Sequence, residues 1–283
     1  MQNVCELALG DSYCAVLTRR HYENFWVASR LAPPEMRVHL RRVYAYCRLT
    51  DDLGDESDGQ AAERLALWRG DLERCFSGGV PPLHPALLAL AETIRDYQLP
   101  RAPFFDLISA NLQDQRVHQY ATWEELHDYC RRSAAPVGRL VLRLAGVASP
   151  ERDALSDDVC IGLQLANFAQ DVRLDREKGR TYLLQPELAG LGVAGAVAAL
   201  CRRAEHLLAS GRALEASVGG RLRLQLALYR LGGEAILRAI AAIGYRTDLR
   251  RPEVTLPVKV GLLATAGRQA LGRSSDAHDY RTA

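Results

Sequence analysis

The chain carries two copies of one short pattern, Asp51-Asp52-Leu53-Gly54-Asp55 and Asp171-Val172-Arg173-Leu174-Asp175. On a helix, residues four apart share a face with about 5–6 Å between Cβ atoms, so each copy presents two carboxylates in one direction. Like charges at that spacing weaken an isolated helix by roughly a few tenths of a kcal/mol. A cation is the simplest reason to keep them. Hard oxygen donors in ones and twos, leaving coordination positions for water and phosphate, suit Mg²⁺ better than zinc or a closed calcium cage. One such pair alone reads as a solvated helix face neutralised by arginine, whereas two in one chain argue for ligation.

The neighbourhoods of the pairs correspond as well. Tyr44 and Arg48 precede the first pair by helical steps. Gln164 and Asn167 precede the second, and Arg180 and Tyr182 follow it after Gly179. Asn167, Asp171 and Asp175 fall at i, i+4 and i+8, which predicts a stripe of three oxygen ligands along two helical turns.

The elements that must position these groups are helices. Apolar residues recur at helical spacing, as in Leu40, Val43, Tyr44 and Cys47, in Val159, Leu163 and Ala166, and in Leu222, Leu226, Tyr229, Gly233 and Ile236. Sustained strand alternation is absent, and 22 Gly and 12 Pro are few for 283 residues rich in Ala, Leu and Arg. An all-α fold is expected. Breaks at Pro33-Pro34, Ser77 to Pro82, Leu99-Pro100, Ser149-Pro150, Gly179 to Pro186 and Arg251-Pro252 divide the chain into about eight helical segments. None is long enough for an interdomain linker, so residues 1–283 are expected to form one domain, with a core over about 21–272 and a mobile tail over 273–283.

Several other readings fall away. Gly190-Leu-Gly192-Val-Ala-Gly195 matches the dinucleotide fingerprint literally, with Glu215 downstream, but no buried strand precedes it and no parallel sheet is available. A flexible Gly/Ala helix entry is expected there. The balance of 36 Lys+Arg against 34 Asp+Glu, without a basic-aromatic module, speaks against nucleic acid as a partner. Seven cysteines without a C-x-x-C pair suggest neither a disulfide framework nor structural zinc, which fits a reducing cytoplasm. The first residues do not resemble a signal peptide, and the longest uncharged run, 75–91, is interrupted by prolines and too short to span a bilayer. From Arg246 to Arg273 the basic residues Arg246, Arg250, Arg251, Lys259, Arg268 and Arg273 interleave with Val258, Val260, Leu262 and Leu263, a mixture suited to weak peripheral contact with an anionic inner membrane.

The residues Tyr44 to Glu56, Leu163 to Asp175 and Gly179 to Leu183 together resemble the trans-isoprenoid head-to-head synthases, the squalene, phytoene and dehydrosqualene synthases, and the resemblance runs from about His21 to Thr265. It implies an all-α isoprenoid-synthase bundle with a central apolar cavity. Asp51, Asp55, Asn167, Asp171 and Asp175 stand where the family holds two or three Mg²⁺ ions with the diphosphate of an isoprenyl substrate. Tyr44, Arg48, Gln164, Asn167, Arg180 and Tyr182 stand at its diphosphate and reaction-centre positions. A departing diphosphate leaves a carbocation, so such a site needs metal and arginine on the leaving group and apolar walls around the cation. Phe25, Val137, Gly138, Val141, Leu163 and Ala166 can supply the walls or serve as ordinary core.

Two further segments, His21-Tyr-Glu-Asn24-Phe25-Trp-Val-Ala-Ser29-Arg30 and Tyr129-Cys-Arg-Arg-Ser133-Ala-Ala-Pro136-Val137-Gly138-Arg139, look like the bacterial hydroxysqualene synthase branch. They add His21, Asn24, Phe25, Tyr129, Val137 and Gly138 as substrate-binding residues. Pro136 to Gly138 is read as a local helix distortion. Trp26 stands where the branch often has Pro, and Leu184 where it has Pro before Gln185. The branch implies ionisation of presqualene diphosphate and water capture without NADPH, on the way to squalene and hopanoids, between upstream and downstream pathway enzymes. Two other readings remain: a condensing synthase joining two prenyl diphosphates such as farnesyl diphosphate, and a noncatalytic lipid-binding or assembly relative.

Overall fold

A computed structural model describes residues 2–20, 32–55 and 59–271 of the chain. His21, Asn24 and Phe25, expected at the substrate, lie outside the described residues, as do Trp26, Arg273 and the segment 273–283. The described residues are helical with no strand among them, as the composition led us to expect. They fall into two compact units, residues 1–117 with 131–149, and residues 118–130 with 150–283.

The first unit contains α1 (Gln2–Arg20), a 3₁₀ turn at Pro34–Met36, α2 (Arg37–Asp55), α3 (Ala61–Ser77), α4 (Pro85–Asp96), α5 (Ala102–Gln113) and, after residue 131, α7 (Ala135–Leu144). Helix starts follow the local sequence. Pro85 and Pro103 occupy first turns, where a missing N–H costs nothing, and the His84 ring accepts from Ala86 N at 3.1 Å as an N-cap.

Helix α2, which carries the first aspartate pair, is fastened on several sides. Tyr46 is fully buried, donates from its hydroxyl to Phe104 O at 2.7 Å and stacks on Trp68 with centroids 5.9 Å apart. Thr50 donates to Tyr46 O at 2.8 Å and accepts from Trp68 Nε1 at 2.9 Å, which bolts the residue next to Asp51 to α3. At the other end of α2, buried Arg42 makes a two-pronged pair with Asp11 of α1, at 2.7 and 2.9 Å, and reaches Thr93 of α4 at 3.1 Å.

The second unit contains most of α6 (Trp123–Ser133), then α8 (Pro150–Gln170), α9 (Val172–Glu177), α10 (Gln185–Ala209), α11 (Gly211–Ala216), α12 (Gly220–Ala242) and α13 (Leu256–Leu271). Helices α8, α10 and α12 pack against one another, with α13 on α12. Buried Arg230 is matched by Glu215 at 2.6 and 3.1 Å and by Glu234 at 2.7 Å, the pairing a buried guanidinium requires. The literal dinucleotide pattern falls inside α10, where Gly192 (φ 66°, ψ −178°) makes a kink in the helix with no strand before it.

The helices outnumber the expected segments because several breaks involve neither Pro nor a Gly-rich run. Asp171 separates α8 from α9 and Ser210 separates α10 from α11, while Ala134 alone separates α6 from α7. The distortion expected at Pro136 to Gly138 is therefore a helix junction: Pro136 lies in the first turn of α7, and Val137 N donates to Ala134 O at 3.2 Å. Among the described residues six cysteines are free thiols, and burial pushes those of Cys14, Cys75 and Cys201 up to about 12, leaving them unreactive.

Candidate active site

In the first unit Asp51 and Asp55 lie on the last turn of α2, and both are solvent-accessible. Asp52, between them, faces Arg48 one turn earlier at 2.6 Å. That pairing leaves Asp52 neutralised and sets it apart from its neighbours. The crowding of protein around the Asp51 carboxyl, helped by repulsion from Asp55 and Asp52, pushes it up to about 6, while a hydrogen bond from Asn111 and the charge of Arg48 pull the other way. Asn111 Nδ2 lies 3.2 Å from Asp51 Oδ1. Arg48 Nε is buried and, among the described residues, has no hydrogen-bond partner, a donor suited to an incoming anion. Tyr44 sits one turn before Arg48, half-buried, and burial raises its phenol above the ordinary value.

In the second unit the expected stripe Asn167, Asp171, Asp175 is kept in spacing and broken in helix geometry. Asp171 N donates to Asn167 O and Asp175 N to Asp171 O, both at 2.9 Å, so the i to i+4 relationship persists. Asp171 itself leaves helical backbone at φ −103°, ψ 17° and caps α9. The break coincides with two attachments from the segment before α13: Arg251 pairs with Asp171, Nε to Oδ1 at 2.5 Å, and Gln170 Nε2 donates to Pro252 O at 2.7 Å. Gln164 is half-buried on α8 and Asn167 exposed.

After α9, Gly179 adopts φ +75°, which an L side chain resists, and Arg180 N donates back to Asp175 O at 2.8 Å. The motif sequence Gly179-Arg180 is thus a helix stop that returns the chain beside the second aspartate pair. Thr181 N donates to His118 O at 2.9 Å and Gln185 N to Tyr120 O at 3.0 Å, pinning residues 181–185 along 118–120. Tyr182 is thereby held in an aromatic stack: its ring lies 3.7 Å from Phe168, 5.7 Å from Tyr129 and 5.9 Å from Tyr120. The stack brings together two of the sequence-assigned residues, Tyr129 and Tyr182, with Phe168 and Tyr120 as members the sequence reading did not include.

Val137 and Gly138 are half-buried in the first turns of α7, and Val141 is buried one turn on. Ala166 is fully buried, and Leu163 fills the space where a Cβ on Gly233 would fall, so Leu163 serves the packing of α8 on α12.

The residues fit Mg²⁺ by the chemistry of their donors. Among the described residues no three His, Cys, Asp or Glu side chains gather closely enough to cage an ion by themselves. Each unit instead offers a carboxylate pair, the arrangement for an ion that retains waters and takes phosphate oxygens. Asp51 is held by a neutral amide, Asn111, which leaves its charge in place for a dication.

Comparison with known proteins adds an independent observation. Residues 18–258 match the sequence model of squalene/phytoene synthase. The crystal structure of squalene synthase HpnC from Alicyclobacillus acidocaldarius is 46% identical, with a TM-score of 0.79 over 85% of this chain and 96% of that one. A dehydrosqualene synthase solved in complex with a ligand has a TM-score of 0.82 over 94% of this chain and 98% of that one, at 24% identity, a likeness of fold. The phytoene synthase of Arthrospira platensis is 32% identical over 196 residues, 63% of this chain and 63% of its own length. The 15-cis-phytoene synthase of Synechococcus elongatus is 32% identical over 200 residues, 64% of each. The chain thus spans a little under two thirds of the length of these curated relatives.

Proposed function

The chain belongs to the squalene/phytoene synthase family, and from that premise we propose that it is a Mg²⁺-dependent synthase that ionises presqualene diphosphate and lets water capture the rearranged cation, giving hydroxysqualene. The observation that favours a squalene-type branch over a phytoene-type one is the likeness to squalene synthase HpnC, 46% identity over 85% of the chain, against 32% over 63% for a phytoene synthase. The segments Tyr129 to Arg139 and His21 to Arg30 support the same branch. The matched residues 18–258 extend across both compact units, which supports reading the whole chain as one synthase domain.

In this reading Asp51, Asp55, Asn167, Asp171 and Asp175 would hold Mg²⁺, which when bound takes up charge on the diphosphate. Arg48, whose buried Nε has no partner among the described residues, receives the leaving diphosphate, as does Arg180. The carbon–oxygen bond breaks with its electron pair going to the diphosphate, leaving a cyclopropylcarbinyl cation that rearranges within the C30 chain. Water then adds through oxygen and loses a proton, so atoms and charge balance without a hydride donor. Tyr44, Asn167 and Tyr182 are assigned to the reaction centre, and water capture depends on an approach within about 3–3.5 Å of the cationic carbon. Tyr129, Val137, Gly138 and Gln164, with His21, Asn24 and Phe25, are assigned to the substrate.

The phytoene synthase relatives favour a second reading, condensation of two prenyl diphosphates. Purified protein with Mg²⁺, offered presqualene, farnesyl and geranylgeranyl diphosphate separately, distinguishes the two by mass spectrometry of the products. A C30 alcohol from presqualene diphosphate supports hydroxysqualene formation; a condensed product from farnesyl or geranylgeranyl diphosphate, with presqualene diphosphate untouched, replaces it.

We also propose weak docking to an anionic membrane through α13, where Val258, Val260 and Leu263 are exposed beside Lys259. No helix among the described residues is long and apolar enough to cross a membrane. Two of the basic residues expected to take part are committed elsewhere, Arg246 to Asp248 and Arg251 to Asp171. Co-sedimentation with phosphatidylglycerol vesicles at low salt tests the docking, and binding equal to that on phosphatidylcholine vesicles refutes it.

A further inference from the structure

Helix α5 and the turn that follows it bring two amide side chains, Asn111 and Gln115, onto the end of α2. Asn111 Nδ2 donates to Asp51 Oδ1 at 3.2 Å and to Leu107 O, in its own helix, at 3.1 Å. Gln115 Nε2 donates to Gly54 O at 2.8 Å and to Asn111 O at 3.1 Å. Each amide is therefore held by the backbone carbonyl four residues before it and spends its other donor on the aspartate motif, so its orientation is set before any ligand arrives.

The close approach is built into both partners. A Cβ placed on Gly54 would lie 2.2 Å from Asn111 Oδ1. Glycine at position 54 leaves the space that the Asn111 amide occupies, and Gly54 is itself buried.

The chemistry of the donor matters too. Of the two adjacent aspartates, Asp52 has a guanidinium, Arg48 at 2.6 Å, whereas Asp51 has a neutral amide. An arginine on Asp51 would cancel the charge a dication needs; an amide orients one carboxylate oxygen and leaves the charge in place.

We propose that Asn111 is a positioning residue for the metal site: with Gln115 and the space left by Gly54 it fixes the Asp51 carboxylate for a divalent cation carrying a diphosphate. This rests on the reading of Asp51 as a metal ligand. Asn111 does not touch the reacting atoms and acts through Asp51.

The test is isothermal titration of the metal-free protein with Mg²⁺ and inorganic pyrophosphate, beside a thermal melt of each variant. Asn111→Leu keeps the volume and removes both donors; binding should weaken by roughly tenfold, the scale of one hydrogen bond to a charged group. Asn111→Gln, retaining the donor on a longer arm, should recover part of that loss. Gly54→Ala should weaken binding by pushing the Asn111 amide aside, and should add little in an Asn111→Ala background, because the group it displaces is gone. If Gly54→Ala does not fold, recovery of its melting transition in the Asn111→Ala background gives the same information, and failure to recover counts against the proposal. Wild-type affinity in Asn111→Leu, or independent addition of the Gly54 and Asn111 losses, overturns it. If instead the unaltered protein does not bind Mg²⁺ with pyrophosphate, or Asp51→Asn binds it undiminished, the metal reading itself has failed.

Discussion

Arg251 lies against the second aspartate motif, its Nε 2.5 Å from Asp171 Oδ1 and its Nη2 3.5 Å from Oδ2. The same guanidinium reaches Gln170 Oε1 at 3.5 Å while Gln170 holds Pro252 O, so residues 170–171 and 251–252 clip each other across 80 positions of sequence. A dication bound at Asp171 competes with this arginine for the carboxylate. Arg251→Gln should therefore lower the melting temperature of the metal-free protein by about 1–3 °C, the scale of a partly exposed ion pair. It should also raise the affinity for Mg²⁺ alone severalfold. A titration showing weaker Mg²⁺ binding would mean that Arg251 assists the metal rather than standing in for it.

Asp51 sets a pH dependence. Its carboxyl, held up at about 6 chiefly by the protein around it, keeps its proton in the folded chain to a higher pH than the 3.8 of an unperturbed aspartate. The folded state then binds more protons than the unfolded one between those values, so this group's contribution to stability is lost as pH rises from about 4 to about 6. Asp51→Asn should raise the metal-free melting temperature at pH 7.5 and leave it nearly unchanged at pH 3.5. In the unaltered protein Mg²⁺ affinity should climb from pH 5 to pH 7 and then flatten. Thermal melts and metal titrations across that range check both.

Replacing Arg48 or Arg180 by Lys keeps the charge and loses the planar two-pronged donor. Each variant should lower kcat/KM by roughly tenfold with the fold intact. Arg48→Lys also weakens the contact with Asp52, now at 2.6 Å. Steady-state kinetics beside circular dichroism separates the two effects, and wild-type constants in both variants would count against the diphosphate assignment.

Trp68→Phe removes the donor to Thr50 while retaining most of the ring stacked on Tyr46. A cost of about 1 kcal/mol in stability is expected. Because Thr50 precedes Asp51, KM for the diphosphate substrate should rise as well. A chemical denaturation curve measures the first effect, and KM measured at saturating Mg²⁺ the second.

Much of the candidate site was legible because its residues lie close together in sequence. The spacing of Asp51 and Asp55, and of Asp171 and Asp175, survives folding, as does the helical periodicity around them. What escaped came from long range or from local backbone. Asn111 and Gln115 are ordinary amides some 60 residues from the motif they hold, and Arg251 is one arginine among several about 80 residues from Asp171. Neither position carries a spacing signal of its own. Gly54 was the available clue, since a glycine inside a helix invites the question of what stands where its side chain would be. The break at Asp171 has neither Pro nor Gly and coincides with the attachments of residues 170–171 to Arg251 and Pro252, which periodicity does not register.

The most direct measurement is the fate of presqualene diphosphate in ¹⁸O-labelled water with Mg²⁺ and no NADPH. Water capture predicts a C30 alcohol carrying one ¹⁸O atom, formed by the unaltered protein and lost in Asp171→Asn, whose amide keeps the side-chain volume without the charge that binds a hard cation. An unlabelled hydrocarbon, or no reaction with presqualene diphosphate while two farnesyl diphosphates are joined, would contradict the account.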